Sequence, residues 1–336
     1  KYYQKLFVYN ENVKEYISKR GISEFSIEKF EIGYAPISID TINFLKSNHY
    51  NLTDAIDLGV IDNGTNGLYS RFIERITFPI YSITGKLVGF GGRTITGHNA
   101  KYVNSPQTKL FNKSRLLYGY HLAKEQIYKK NQIIVCEGYL DVIMLHQAGF
   151  NTAVATLGTA LTVEHLPLLR RGEPKVILAY DGDKAGLAAA FKASVMLSQS
   201  EFEGGVIIFA DGMDPADMVH NGKINELNEI FSNPISYIPY AINYIVSKYD
   251  INDPNQKQKA LSEANEYLKT LSLLNQDEYK RYLAQKLNIR ENLVKISSNK
   301  QRTYEPNLTK IDIAELCIIK SILEKPKRLD SVLDIV

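Results

Sequence analysis

Three times between residues 133 and 217 a short apolar run closes on an acid followed by glycine. The runs at 133–136, 176–179 and 206–209 lead into Glu137-Gly138, Asp181-Gly182 and Asp211-Gly212. Runs this short, rich in Val and Ile and without polar alternation, predict strands buried on both faces. The stretches between them, 140–148, 161–170 and 184–197, have helical character, and 153–155 adds a further short strand. Strand and helix in alternation predict βαβ units and a mostly parallel sheet with right-handed crossovers. Upstream, residues 1–60 read as short helices, one of them closed by Gly21 after Lys19-Arg20. Two apolar runs around Thr84-Gly85-Lys86 predict a β-hairpin, and Gly89, Gly91 and Gly92 predict a bulge or close backbone approach within it. Residues 101–115 read as an extended loop with spaced cations, and 116–130 as a helix. After residue 222 no strand is expected. Helices are predicted over 231–248, 256–273 and 276–287, the last with Asn275 and Glu278 as a capping-box variant. Residues 297–309 read as a linker, and 313–323 as the start of another helix.

The fold class is therefore α/β, a mostly parallel sheet flanked by helices. An α+β subdomain precedes it over 1–130, the central subdomain spans 131–222, a helical subdomain covers 223–296, and linker with further helix occupies 297–336. Composition agrees with a globular chain: 336 residues, 44% hydrophobic and 23% charged. Charge is uneven. The net charge is +3, but residues 1–130 carry 18 Lys and Arg against 11 Asp and Glu, whereas 131–222 carry 5 against 11. A basic module joined to an acidic one suits a polyanion held beside a metal site, although a basic solvated surface has the same composition.

Several chemistries are excluded or disfavoured. The two cysteines, Cys136 and Cys317, form no paired or His-containing cluster, so neither structural zinc nor a disulfide framework is expected. Cys136 reads as a buried small hydrophobe. No apolar run approaches a membrane span, and the beginning has no signal-peptide pattern. Because it starts on Lys1 and not on Met, the chain is expected to be a piece of a longer cytosolic protein. The Gly89–Gly92 stretch lacks the third glycine of a dinucleotide fingerprint, and no phosphate-binding P-loop motif is present. What remains is a group of carboxylates placed just past strand ends, where open parallel sheets bind ligands. Acids gathered in one crevice repel one another unless a cation neutralises them. Oxygen donors without His or Cys suit a hard divalent ion such as Mg²⁺ or Mn²⁺. Asp214 before Pro215 also suits a helix N-cap, and Asp217 an acid stabilised in a first helical turn.

Glu137 after a first strand and Asp181-Gly-Asp183 after a later one resemble the Toprim pattern. The surrounding segments resemble the DnaG-type bacterial primases: Glu137-Gly-Tyr-Leu-Asp141, Ala155-Thr-Leu-Gly-Thr-Ala, Tyr180-Asp-Gly-Asp-Lys-Ala-Gly186 and Gly212-Met-Asp-Pro. So do Arg75-Ile-Thr-Phe-Pro-Ile, Gly89-Phe-Gly-Gly-Arg93, Lys101-Tyr-Val-Asn-Ser-Pro and Leu117-Tyr-Gly119. The resemblance covers about residues 1–290. It implies the Toprim-containing RNA polymerase core of a primase, without that family's zinc-binding domain. Residues 314–323 resemble the opening of the family's helicase-binding region.

By this resemblance the metal-binding acids fall on Glu137, Asp181, Asp183 and Asp214, with Asp141 close by. Glu137, Asp181 and Asp183 are the catalytic candidates. The family commonly reads Asp-Pro-Asp where this chain has Asp214-Pro-Ala216-Asp217, so either Asp217 takes that role or one acid fewer is used. A basic ridge for template and nucleotide falls on Arg20, Arg93, Lys101 and Lys113, with Arg115 beside it. The implied activity is synthesis of short RNA primers on single-stranded DNA from ribonucleoside triphosphates, with a replicative helicase as partner in the cytoplasm. Inhibition by guanosine alarmones is a hypothesis raised by the same resemblance. The residues alone leave two other readings open: a different Toprim chemistry, cleaving DNA as a nuclease or topoisomerase does, and a non-enzymatic nucleic-acid scaffold.

Overall fold

The computed structural model describes residues 1–97, 100–209 and 213–296. The predicted helices of the first part are α1 (Tyr2–Val8), α2 (Glu11–Lys19), α3 (Glu24–Lys29), α4 (Ser38–Ser47) and α5 (Leu52–Asp57). Polar side chains start three of them: Asn10 accepts from Val13 N, Ser23 from Ser26 N and Asn51 from Thr53 N. Helix α2 ends at Arg20 and Gly21, as expected. The predicted hairpin is β4 (Arg75–Tyr81) with β5 (Leu87–Thr94), including an irregularity in register at Ile80/Tyr81. Close approach is also borne out, because a methyl at Gly91 would overlap the ring of Tyr139.

Four strands of this region were not predicted. Strand β1 (Gly33–Ala35) pairs with β4, and β6 (Tyr102–Asn104) pairs with β5 inside the stretch read as a loop. Strands β2 (Ile61–Gly64) and β3 (Gly67–Ser70) form a separate hairpin. All are three or four residues long, too short for periodicity, and depend on a neighbour's free edge for pairing. The resulting antiparallel sheet has the order β1-β4-β5-β6.

Helix α6 (Tyr120–Lys130) leads into the central sheet. Its strands are β7 (Gln132–Cys136), β8 (Ala153–Ala155), β9 (Lys175–Tyr180) and β10 (Gly204–Ile208), all parallel. Helices α7 (Tyr139–Gln147), α8 (Leu166–Leu169) and α9 (Lys184–Gln199) connect them. The helix expected over 161–170 is mostly replaced by a 3₁₀ turn, Val163–His165, before the four-residue α8. Helices α10 (Pro215–His220) and α11 (Ile224–Ser232) follow. The helix expected over 231–248 is interrupted, because Pro234 has no N–H to donate. There the chain forms β11 (Ile235–Ser236), antiparallel to β10, correcting the expectation of no strand after residue 222. The sheet order is β11-β10-β9-β7-β8.

Helices α12 (Tyr237–Ser247), α13 (Pro254–Leu268) and α14 (Leu273–Leu287) complete the described chain. Helix α14 starts at Ser272 and not at Asn275, so the Asn275/Glu278 capping box does not form. The predicted linker and the run at 313–323 lie outside the described residues, as does Cys317.

Alternate residues of the central strands enter different cores, which explains their uninterrupted apolar sequence. Ile134, Cys136, Ile177, Ala179 and Ile207 join a core with Phe78, Tyr118, Tyr139 and Val142. Ile133, Val135, Val176, Leu178 and Val206 pack on the other face with Tyr120, Leu197 and Tyr240. The first core also takes Val13 and Ile17 of α2 and Ile76 and Ile80 of β4. That shared packing holds the basic first subdomain against the carboxyl ends of β7, β9 and β10. Helices α12–α14 have their own core around Ala241, Ala264 and Leu283.

Candidate active site

Strands β7, β9 and β10 are neighbours, so groups that follow their last residues share one crevice. Glu137 follows β7 and Asp181 follows β9, and Asp181 N donates to Glu137 Oε1 at 3.1 Å. Asp141, in the first turn of α7, accepts from Gly138 N at 3.0 Å. Asp183 caps α9 through Gly186 N at 2.7 Å, and Asp214 caps α10 through Asp217 N at 2.6 Å. Each of these four carboxylates thus accepts a backbone N–H, and Asp183 does so without lining the cleft. The N-cap alternative for Asp214 is realised, and it does not remove that residue from the crevice.

The acids feel one another. Asp141 is only 7% exposed; burial first, then Asp214 and Asp181, push its carboxyl well above the usual range. Asp181 is pushed up to about 6 by burial, then by Asp214, Asp183 and Asp217, with Lys101 opposing. Glu137 is raised by burial and then by Asp181, and Asp214 by burial and then by Asp217, with Arg20 opposing. An excess of negative charge held together in this way fits a divalent cation, and the donors are all oxygen. Among the described residues no three such groups already stand at the spacing of a closed metal cage, so the acids would converge on the ion. Asp211 lies outside the described residues.

Glu137, Asp141, Asp181, Asp214 and Asp217 line a cleft of about 510 Å³ together with Lys19, Arg20 and Lys101. Two predicted cations thus face the acids. Arg93 is set back behind Tyr16 and Tyr102, with its guanidinium carbon 4.3 Å and 5.9 Å from their ring centroids. Lys113 and Arg115 do not line the cleft. They sit in the turn Lys113–Arg115, which packs against the Val163–His165 turn and accepts there from His165 Nε2 at Lys113 O. Lys19, Tyr102, Asn104 and His220 line it without having been predicted. Lys101, Tyr102 and Asn104 all belong to the Lys101-Tyr-Val-Asn motif, and the pairing of β6 with β5 seats that segment beside the cleft.

Asp141 gives a prediction of its own. With its acid form favoured, Asp141→Asn should unfold at a temperature within about 2 °C of the wild type. Asp141→Ala, which removes the acceptor for Gly138 N, should lose about 1 kcal/mol. Urea unfolding of both variants checks this, and equal losses would contradict it.

Comparison with known proteins agrees with the geometry. Residues 2–124 match the family model of the DNA primase catalytic core N-terminal domain, and 131–208 that of the Toprim domain. Residues 240–292 match the DnaB-helicase binding domain of primase. The DNA primase of Helicobacter pylori is 52% identical over 271 residues, covering 80% of this chain and 48% of that protein. The DNA primase of Campylobacter jejuni is 40% identical over 337 residues, covering 97% and 56%. Among solved structures, the E. coli primase catalytic core has a TM-score of 0.75 at 31% identity, covering 86% of this chain and 95% of that one. The RNA polymerase domain of the Mycobacterium tuberculosis primase DnaG has a TM-score of 0.76 at 30% identity, covering 84% and 94%.

Fold and acid cluster define a Toprim-type catalytic core. The chain belongs to the DnaG-type bacterial primases and corresponds to their catalytic core. It spans about half the length of the curated relatives it matches.

Proposed function

We propose that this core joins ribonucleotides into short RNA primers on a single-stranded DNA template. The observation that carries the reading is the cleft itself, in which oxygen-only acids past the ends of β7 and β9 and in the first turns of α7 and α10 face Arg20 and Lys101. A Mg²⁺ or Mn²⁺ pair bound there would neutralise the triphosphate and acidify the attacking 3′-hydroxyl. Glu137, Asp181 and Asp183, with Asp141, Asp214 and Asp217, are the residues to hold it. Arg20, Arg93 and Lys101 would bind phosphate oxygens of template and nucleotide, and the β6 edge would keep Lys101 over the cleft. Lys113 and Arg115 are assigned to template contacts away from the acids. A solved DnaG primase catalytic domain, 31% identical to this chain, is bound to single-stranded DNA, which supports the choice of template.

We assign template and nucleotide binding to residues 1–130, metal chemistry to 131–222, and partner contact to 223–296 with 297–336. The replicative helicase is the proposed partner, supported by the family match over 240–292, which precedes the 314–323 run favoured by sequence. Action at a cytoplasmic replisome follows from that role. Among the described residues no helix is long and apolar enough to cross a membrane. A guanosine alarmone would compete with GTP at the same cleft, which a competition titration with Lys101→Ala as control tests.

The main test incubates the protein with single-stranded template, labelled ribonucleotides and Mg²⁺ or Mn²⁺, with a pre-annealed primer in parallel. Template-dependent oligoribonucleotides are expected from the wild type and not from Glu137→Gln. Nicked template without RNA product would replace this reading with DNA cleavage. Binding without either product would leave a scaffold.

A further inference from the structure

Arg20 and Arg93 come from different elements, α2 and β5, yet they meet on one aromatic ring. Tyr16 lies one turn before Arg20 on α2, the spacing at which helical side chains touch. Arg20 Nε donates to the Tyr16 hydroxyl at 3.1 Å, and its guanidinium carbon is 5.7 Å from the ring centroid. The guanidinium carbon of Arg93 stands 4.3 Å from the same centroid. Arg93 is held further by its own Nη1, which donates to Thr94 O at 2.7 Å.

Two like charges gathered on one ring repel each other unless an anion joins them directly. Among the described residues neither arginine forms an ion pair with a carboxylate, whereas five lysines do. Arg93 Nε is buried and has no hydrogen-bond partner. The acids nearest Arg20, Asp214 and Asp217, influence it through space without contact. The pair is therefore arranged for an oxyanion that is not part of the protein, and a planar guanidinium grips a phosphate with two parallel hydrogen bonds only when its plane is set.

We propose that Tyr16 is a positioning residue that sets both guanidiniums, Arg20 in the lining of the acid cleft and Arg93 behind it, as a single phosphate clamp. Its hydroxyl orients Arg20 and its ring face carries Arg93. The inference rests on the nucleotidyl-transfer reading for what the clamp serves, although not for whether it exists. Phosphate of the template strand and of the incoming triphosphate have the same chemistry, and separate measurements distinguish them.

The test is a mutant cycle in the full chain, read by fluorescence anisotropy of a labelled single-stranded oligonucleotide and by calorimetric titration of inorganic tripolyphosphate. Tyr16→Leu should weaken binding of the clamped phosphate about tenfold, losing both a charged hydrogen bond and a cation–π contact. Tyr16→Phe keeps the ring and should lose about threefold. On an Arg20→Ala background Tyr16→Phe should add nothing, whereas on Arg93→Ala it should keep its effect. On the double-alanine background Tyr16→Leu should add less than twofold. In primer extension Tyr16→Phe and Tyr16→Leu should raise KM by more than they lower kcat. Full additivity of Tyr16→Leu with both alanines, or a kcat loss at constant KM, would overturn the proposal. The oligonucleotide responding alone would assign the clamp to template, and tripolyphosphate responding alone to nucleotide. If the wild type extends no primer, the functional reading fails while the binding cycle still decides the clamp. Tyr16→Phe, which preserves packing volume, keeps the test valid should Tyr16→Leu fold poorly.

Discussion

Asp181→Asn should abolish primer synthesis while making the metal-free protein more stable. Asp181 carries repulsion from Asp214, Asp183 and Asp217 on top of its burial, and its carboxyl is pushed up to about 6. A shift of that size is roughly 3 kcal/mol if taken whole, and about 1 kcal/mol once solvent screening in the open cleft is allowed for. Removing the charge should therefore raise the thermal midpoint of the metal-free chain by about 2 °C. Activity should fall about a thousandfold, the scale of losing a carboxylate from a metal-dependent transition state. The stabilisation by added Mg²⁺ or Mn²⁺ seen in the wild type should shrink in parallel.

The pH dependence has a definite sign. Asp181 binds its proton more tightly folded than unfolded, so its destabilising charge is fully present at pH 7. That penalty fades as pH falls through about 6 and is gone near the ordinary carboxylate value of 3.8. His121 and His146, both pushed down to about 4 by burial, act in the opposite direction over the same range. The difference between variant and wild type cancels the histidines and reports Asp181 together with its coupling to Glu137 and Asp141. The advantage of Asp181→Asn should be present at pH 7 and absent by about pH 4. Differential scanning calorimetry in chelator across that range checks it, and an advantage that grows towards acid would refute the account.

Gly186→Ala is expected to damage stability and activity together. Gly186 sits in the first turn of α9, and its N–H caps onto Asp183. An added methyl would overlap the carbonyl oxygen of Asp181 and come within 2.9 Å of Glu137 Oε1. The first obstacle is backbone at the end of a central strand and cannot rotate away. Three of the candidate metal acids would have to shift together. We expect a loss of about 1–3 kcal/mol in stability, the usual range for overpacking. The accompanying loss of activity should be about a hundredfold, since displacements near 1 Å at a reacting centre have that effect. Urea midpoints and primer-extension rates measure the two. A variant with normal stability and full activity would show that the three acids are not held as one unit.

Different parts of this molecule were legible in the sequence to different degrees. Strands β7, β9 and β10 were evident because burial on both faces leaves an uninterrupted apolar run. The turn glycines beside Glu137 and Asp181 marked the strand ends, and the Toprim resemblance singled out those two acids with Asp183 as candidates. The hairpin of β4 and β5 was read from its turn, and close approach at Gly91 from the absence of a side chain. The two- to four-residue strands β1, β2, β3, β6 and β11 were missed because nothing local distinguishes them from loop until a neighbour supplies hydrogen bonds. Lys113 was placed on the ridge by the family resemblance, with Arg115 beside it, and neither motif nor charge specifies which loop faces which cleft. Tyr16 could not be selected, since its role depends on Arg93, distant in sequence.

By itself the sequence determined the class of fold and the gathering of oxygen donors just past its strand ends, while the family resemblance singled out the candidate acids. The first two follow from hydrophobic periodicity and donor chemistry, which are properties of short segments. Only the tertiary structure decided that Arg20 and Lys101 face those acids, that Arg93 is reached through Tyr16, and that Asp214 aims into the cleft while capping a helix. Those outcomes depend on the core shared by α2, β4, α7 and the central strands, which seats the basic subdomain over the carboxyl ends of the sheet. Packing between segments far apart in sequence fixes such distances, and no local pattern encodes them.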